Sequence, residues 1–551
     1  MPSRTGFGGN NPLVSPEMNG LSERGWHFPN TFTMGNPTEF ALPGLFASSY
    51  LLDDGGYRHG IADRNVTFAE TLKEKGYATS AFFSIFRPFN DQYHRGFDSF
   101  YHLYDLQVTE KNFLNTANWY SSEFNKGNFT LKESTTELFD YYHEYLHDVI
   151  RYCETWISYA DDDVLPESKI LDAIDHARVA TKVEEEIKVL EESPESTLAP
   201  FFQGGDLAFS KIVKEEFARR RKKAKTTFLD LRFRSQILRR IPQIFKYSAS
   251  YQSAKATAAL AVDRVLHGQQ NLLMRYPSGG YILESFKRWH QKHNATQPFY
   301  SYLKLLDAHE FNLYSHDLSE AKEEQEKEYQ VFRKCISSLI RKSDYKGNML
   351  YDCAIRYVDE VLSRLLAYLR QRKILDNTIL VITADHGGIY PDIPHRDKAS
   401  HRLNTFYDEI YHIPLIILAD DRRDLGSENL ISSVDIASTL LDMIGEKIPD
   451  SFRGESLLRA NAGRPYVMAE NQGRGPCDLV RKPIRVCVRS KRFKLIYEAH
   501  PTNPDNGFVD QLYDLIDDPE EYKNIKDQHN SDPKIAELME VAKNRIKEIL
   551  N

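Results

Sequence analysis

At 551 residues, with 41% hydrophobic and 27% charged residues, the chain has the composition of a soluble globular protein with room for a large core. A net charge of −8 and a sequence pI near 6.2 exclude a general electrostatic case for nucleic acid or an anionic membrane surface. Five cysteines, scattered at 153, 335, 353, 477 and 487 with no CxxC pair, argue against a disulfide scaffold and a thiolate zinc site, and no stretch approaches the roughly 20 apolar residues that span a bilayer.

In chain order, the opening "MPSRTGFGGNNPLVSPEMNG" is loop-like and lacks the apolar core of a signal peptide, so the chain as written is expected in the cytoplasm. "VTFAETLKEKGYATSAFF" (66–83) predicts a helix, a glycine stop and a short strand. From about 105 to 285 the pattern turns helical, in stretches such as "TELFDYYHEYLHDVIRYCETWI" and "DHARVATKVEEEIKVLEE", with "SPESTLAPFFQGG" interrupting as a loop. This region is expected to be a helical insertion without chemistry of its own. Its basic run, "KIVKEEFARRRKKAKTTFLDLRFRSQILRRIPQIFKY" (211–247), reads as a charged helical face, with docking to an anionic polymer or membrane as the alternative.

Alternation of strands and helices returns with "QPFYSYLKLLDAHEF" (297–311), "YDCAIRYVDEVLSRLLAYLRQRKIL" (351–375), "NTILVITADHGG" (377–388), "HIPLIIL" (412–418) and "SSVDIASTLLDMIG" (432–445). The alternation predicts an α/β fold with a mainly parallel central sheet covered on both faces. After about 460, "PIRVCVRSKRFKLIYEA", "QLYDLIDDPEEYKNI" and a terminal helix predict a small α+β subdomain of antiparallel strands. The expected division is therefore 1–455 for the main domain and 456–551 for the subdomain.

The apolar run "TILVITADHGG" stops at Asp385-His386. Open α/β sheets place ligands at the carboxyl ends of their strands, which makes this pair a candidate metal site. A carboxylate and an imidazole suit Zn²⁺ or Mn²⁺, and less naturally Ca²⁺, which prefers oxygen alone. A strand cap facing water is the other reading of the same dipeptide.

The ordered series "YDCAIRYVDEVLSRLL…ILDNTILVITADHGG…FYDEIYHIPLII…SSVDIASTLLDMIGEKIPDSFRGESLL", with "TFAETLKEKGYATSAFF…RGFDSF" before it and "VRSKRFKLIY…QLYDLIDDPEE" after it, resembles the sulfatase branch of the alkaline phosphatase superfamily. The likeness covers nearly the whole chain outside the helical insertion. It implies an α/β/α sandwich, one divalent metal ion (Zn, Mn or Ca) and a nucleophile that attacks sulfur or phosphorus.

Members that use formylglycine carry it in a C/S-x-P-x-R segment. Aligned on that segment, "NPTEFALPGLFASS" (36–49) puts Thr38 at the nucleophile position and Leu42 where the arginine would be, with no cysteine to oxidise. Threonine with a proline five residues on is similar to the superfamily's phosphoethanolamine transferases, where threonine is the nucleophile. The resemblance thus implies that Thr38 ligates the metal beside Asp385 and His386, the ion lowering its pKa. A helix cap is the alternative role for Thr38.

The resemblance also marks His309 in "LLDAHEF", similar to a mid-chain family histidine that contacts the anionic group. "PHRDKASHRLNTFYDEIYHIPL" offers His395, Lys398, His401 and Arg402. His401 fits the family's catalytic cation ahead of Tyr407-Asp408-Glu409, and the other three are expected to bind the anion. The family begins with an apolar strand ending in aspartate, followed by a loop similar to "PSRTGFGGNN". The expectation is a truncated start, with a degraded paralogue as the alternative.

The expected function is a metal-dependent hydrolase or transferase of sulfate or phosphate esters, with a tilt toward phosphorus and an anionic ester, such as a glycan ester, as substrate. The alternatives are a non-catalytic binding protein that keeps the fold, and a phosphoethanolamine or phosphoglycerol transferase acting on a surface glycan. No nucleic-acid partner is expected, and membrane association is not indicated.

Overall fold

The computed structural model describes residues 14–84, 93–103, 106–159, 162–165, 176–209, 211–212, 279–293, 297–309, 349–388, 405–419, 429–459, 462–473, 477–528 and 532–551. The opening loop and the basic run from residue 213 onward lie outside them. Contacts group the chain into two compact units, Met1–Lys75 with Leu362–Asn551, and Gly76–Val361.

In the first unit the β-branched run at Leu380–Thr383 forms a strand, as that composition favours. It pairs antiparallel with Leu415–Leu418, Thr383 opposite Leu415, and Leu415–Leu418 pairs antiparallel with Trp26–His27 on its other side. A second sheet has Thr31–Phe32 at its centre, antiparallel to His412–Ile413 and parallel to Ile431–Ser432. The helix Thr38–Ala47 follows Thr31–Phe32, and its residues from Phe40 to Ala47 are all buried, as an all-round apolar sequence requires. Gly44 lets it pack closely, since a Cβ there would meet Met34 Cγ at 2.9 Å.

The carboxyl-terminal part of this unit is a four-stranded antiparallel sheet in chain order, Tyr466–Asn471, Ile484–Ser490, Phe493–Ala499 and Phe508–Asp514. The helix Pro533–Leu550, capped by the Asp532 carboxylate, lays Ile535, Leu538, Ala542 and Ile546 into one core with Val486, Val488 and Leu495 of the sheet and Met34, Phe40 and Leu51 of the front segment. Arg545 on that helix is buried and donates to Asp53 Oδ1 at 2.7 Å and to Glu470 Oε2 at 2.9 Å.

The second unit carries a parallel sheet with Ala78–Ser84 between Ser99–Leu103 and Phe299–Lys304. The described part of the expected insertion consists of the helices Leu106–Asn125, Leu131–Tyr159, His176–Glu192 and Pro194–Phe202. The last of these replaces the loop expected from "SPESTLAPFFQGG". Pro194 stands in the first turn, where a missing N–H is harmless, and Ser193 O accepts from Thr197 N and Oγ1. Gly204, at φ 89°, comes just after its end. Parallel strands, flanking helices and the antiparallel carboxyl-terminal sheet make this the mixed α/β fold that the alternation of elements predicts. Among the described residues, no helix is long and apolar enough to cross a membrane.

Candidate active site

Asp385 and His386 follow the strand Leu380–Thr383, and Thr38 opens the helix Thr38–Ala47. These elements meet in the first unit. Thr38 Oγ1 donates to Asp385 Oδ2 at 2.6 Å, and His386 Nε2 lies 3.4 Å from the same hydroxyl and 3.8 Å from Asp385 Oδ2. Thr38 is only 6% exposed, and the Asp385 and His386 side chains are 14% and 10% exposed. The trio is thus largely shielded from solvent.

The cap position of the helix falls on Pro37, which makes no side-chain cap bond, so Thr38 is the first helical residue rather than the cap. Its hydroxyl sits at the helix N-terminus, where unpaired N–H groups and the macrodipole favour negative charge. The His386 tautomer follows from its surroundings. Nδ1 lies 2.6 Å from Gly387 O, and a carbonyl can only accept, so Nδ1 carries the proton. In the neutral ring Nε2 then turns a lone pair toward Thr38 and Asp385. Two oxygens and a ring nitrogen, with one hydroxyl proton among them, are a donor set that could ligate a divalent cation.

One short segment holds both arms of this arrangement. Gly387 N donates to Ile410 O at 2.6 Å, and Thr33 N, five residues ahead of Thr38, donates to Tyr411 O at 2.8 Å. The backbones are too close at Gly387 for any side chain: a Cβ there would lie 2.1 Å from Glu409 O. Gly387→Ala is therefore expected to cost about 1–3 kcal/mol of stability, the usual penalty of overpacking, and to displace Asp385-His386. Urea unfolding measures the first effect, and a divalent-cation titration of the folded variant measures the second.

Of the other residues marked in the sequence, His309 lies in the second unit, in the turn after Phe299–Lys304, its N–H donating to Leu306 O at 3.0 Å. His395, Lys398, His401 and Arg402 lie outside the described residues. Among the described residues no three His, Cys, Asp or Glu side chains form a group that could hold a metal ion. What the sequence reading missed is the 406–411 segment as the support of the site. "TFYDEIYHIP" contained it, but only the close approach at Gly387 reveals what it does.

The sulfatase family profile matches residues 3–151 and 247–446, well over half of the chain, and the chain belongs to that family. A second profile, "N-sulphoglucosamine sulphohydrolase, C-terminal", matches residues 401–549. Among curated relatives, arylsulfatase K of Canis lupus familiaris is 26% identical over 206 residues, covering 35% of this chain and 36% of its own. An N-acetylglucosamine-6-O-sulfatase of Bacteroides thetaiotaomicron is 30% identical over 228 residues, covering 36% of this chain and 38% of its own. The chain thus spans little more than a third of the length of these relatives. A solved structure described as a complex with its substrate D-glucosamine-2-N,6-O-disulfate aligns with a TM-score of 0.43 at 17% identity, covering 98% of this chain and 94% of its own.

Proposed function

We propose that the protein hydrolyses a sulfate ester, with Thr38 as nucleophile and Asp385, His386 and Thr38 as ligands of one divalent cation. One observation carries this reading: Thr38 Oγ1, Asp385 Oδ2 and His386 Nε2 converge within 2.6–3.8 Å at the end of a strand and the start of a helix. Membership of the sulfatase family supports sulfur as the attacked centre. The names of relatives, an N-acetylglucosamine-6-O-sulfatase and an ulvan-active sulfatase, support a sulfated sugar as the substrate class.

In this reading Thr38 Oγ1 attacks the sulfur. The Oγ1–S bond forms as the bond from sulfur to the sugar oxygen breaks, and the sugar oxygen takes a proton from water and leaves as an alcohol, the hydroxide so formed being neutralised by the proton that Thr38 gives up. The hydroxyl proton leaves along the existing hydrogen bond to Asp385 Oδ2. Water then cleaves the Thr38 sulfate ester, releasing sulfate and restoring the hydroxyl. A bound cation would polarise the sulfate oxygens and lower the pKa of the hydroxyl. The helix N-terminus at Thr38 adds positive potential where the attacking oxygen develops charge. A second reading, phosphoryl transfer, draws support from the residue itself, because a threonine hydroxyl attacks phosphorus equally well.

A substrate panel separates the readings. Supplied with Mn²⁺, Zn²⁺ or Ca²⁺, the protein is expected to release sulfate from a sulfated N-acetylglucosamine and from 4-nitrophenyl sulfate. Turnover confined to 4-nitrophenyl phosphate or its diester would transfer the assignment to phosphorus. Saturable binding of the sulfated sugar without turnover would make the protein a binding protein.

A further inference from the structure

A second polar cluster in the first unit, outside the reacting trio, is built around a buried lysine. Lys494, in the strand Phe493–Ala499, is 1% exposed at its side chain, as is Glu521. Its Nζ donates to Phe406 O at 2.9 Å and to Glu521 Oε1 at 2.6 Å, and pairs closely with Asp408. Arg489 on the neighbouring strand stands directly opposite Lys494 in the register and donates to Asp408 Oδ2 from Nε at 3.1 Å and Nη2 at 2.9 Å. Glu521 completes the ring by accepting Asp408 N at 2.8 Å. Two cations facing each other across a strand pair repel. Here Asp408 and Glu521 balance them, two charges against two.

Apart from the Lys494–Glu521 pair itself, these bonds all end on Phe406 or Asp408. Just beyond are the carbonyls of Ile410 and Tyr411, which receive Gly387 N–H from the Asp385-His386 arm and Thr33 N–H from the Thr38 arm. The Arg489 guanidinium also lies 4.1 Å from the ring centroid of Phe32, on the strand leading to Thr38. We propose that Lys494 is a positioning residue: with Arg489 and Glu521 it clamps the 406–411 segment of the chain, and thereby sets the separation between Thr38 and the Asp385-His386 pair. Rigid support of this kind is what a metal or catalytic constellation requires, since small displacements of the ligands cost affinity. Burial works against the charge on Lys494, yet Asp408 and Glu521 outweigh it and hold the ammonium above its usual range. The clamp is therefore charged across the neutral range.

The inference rests on the reading of Thr38, Asp385 and His386 as the reacting site, and its test keeps the two apart. Lys494→Met is compared with Arg545→Met, which removes a buried cation of the same unit that bonds Asp53 and Glu470 instead. Amide hydrogen exchange at Gly387 and Thr33 is expected to rise severalfold in Lys494→Met and not in Arg545→Met. Equal rises in both variants, or no rise in Lys494→Met, would overturn the proposal. Should Lys494→Met fail to fold, Glu521→Gln weakens the same clamp and is read in the same way. In parallel, Mn²⁺ affinity of the folded protein is expected to fall about tenfold in Lys494→Met and to hold in Arg545→Met. A wild-type protein that binds no Mn²⁺ would remove the metal reading, while the exchange comparison still decides the role of Lys494.

Discussion

Thr38→Ala is expected to lower ester turnover by about 10⁴- to 10⁶-fold, the range seen when a catalytic nucleophile is deleted, with the folded protein binding a divalent cation more weakly through Asp385 and His386, its two remaining proposed ligands. The reason is local. In the proposed reaction the Thr38 hydroxyl supplies the attacking oxygen, and it already donates to Asp385 at 2.6 Å. Thr38→Ser keeps that oxygen and loses only a methyl, so it should retain part of the activity. Initial rates on 4-nitrophenyl sulfate and a sulfated sugar, with melting curves for each variant, measure both. A residue that only stabilised the helix start would behave differently: its alanine variant would lose about 1 kcal/mol of stability and keep full activity per folded molecule. Serine and alanine variants of equal activity would end the nucleophile assignment.

The second large effect concerns the cation. Asp385→Ala and His386→Ala are each expected to reduce divalent-metal affinity by more than about 100-fold, since each removes a ligand rather than a supporting group. Both residues lie just beyond the end of a strand, not within its ladder, so the fold should survive. Metal content after dialysis, together with a Mn²⁺ titration, gives the answer, and full occupancy in both variants would rule out the pair as ligands. Asp385→Asn refines the result. It keeps an oxygen to accept the Thr38 hydrogen bond but lacks the charge, so it separates hydrogen-bond geometry from electrostatics.

The sequence exposed some parts of this site and concealed others, for physical reasons. Asp385-His386 drew notice because an apolar run ends abruptly on an acid and an imidazole, but the dipeptide alone reads equally as a strand cap, and the family likeness made it a metal candidate. Thr38 lies 347 residues away from Asp385, and no periodicity links them; family likeness alone suggested their partnership. The strand Thr31–Phe32 is two residues long, too short for a period to register, although it places Thr38. Nothing in the sequence singles out Gly387, because its requirement comes from the carbonyl of Glu409 pressed against it.

Lys494 was hidden most completely. In "RSKRFKLIYEA" it sits among three other basic residues, and nothing local sets it apart from them. Its partners come from positions 86 and 27 residues away, and only tertiary structure brings those carboxylates to it. Misreading "SPESTLAPFFQGG" as a loop had the opposite cause: proline and glycine, taken as breakers throughout, were here the start and stop of a helix.

The bond from Arg545 to Asp53 has a consequence for how the protein is made. The two residues are 492 apart in sequence, and both are buried when joined. During synthesis Asp53 has to wait for 492 further residues to be added before this guanidinium exists. At roughly 5–20 residues per second that interval is on the order of 25–100 s. Through that time the apolar front segment, with Met34, Phe40 and Leu51, also lacks the helix that will cover it. Nascent chains of this protein therefore pass through that interval with an incomplete core and apolar surface uncovered.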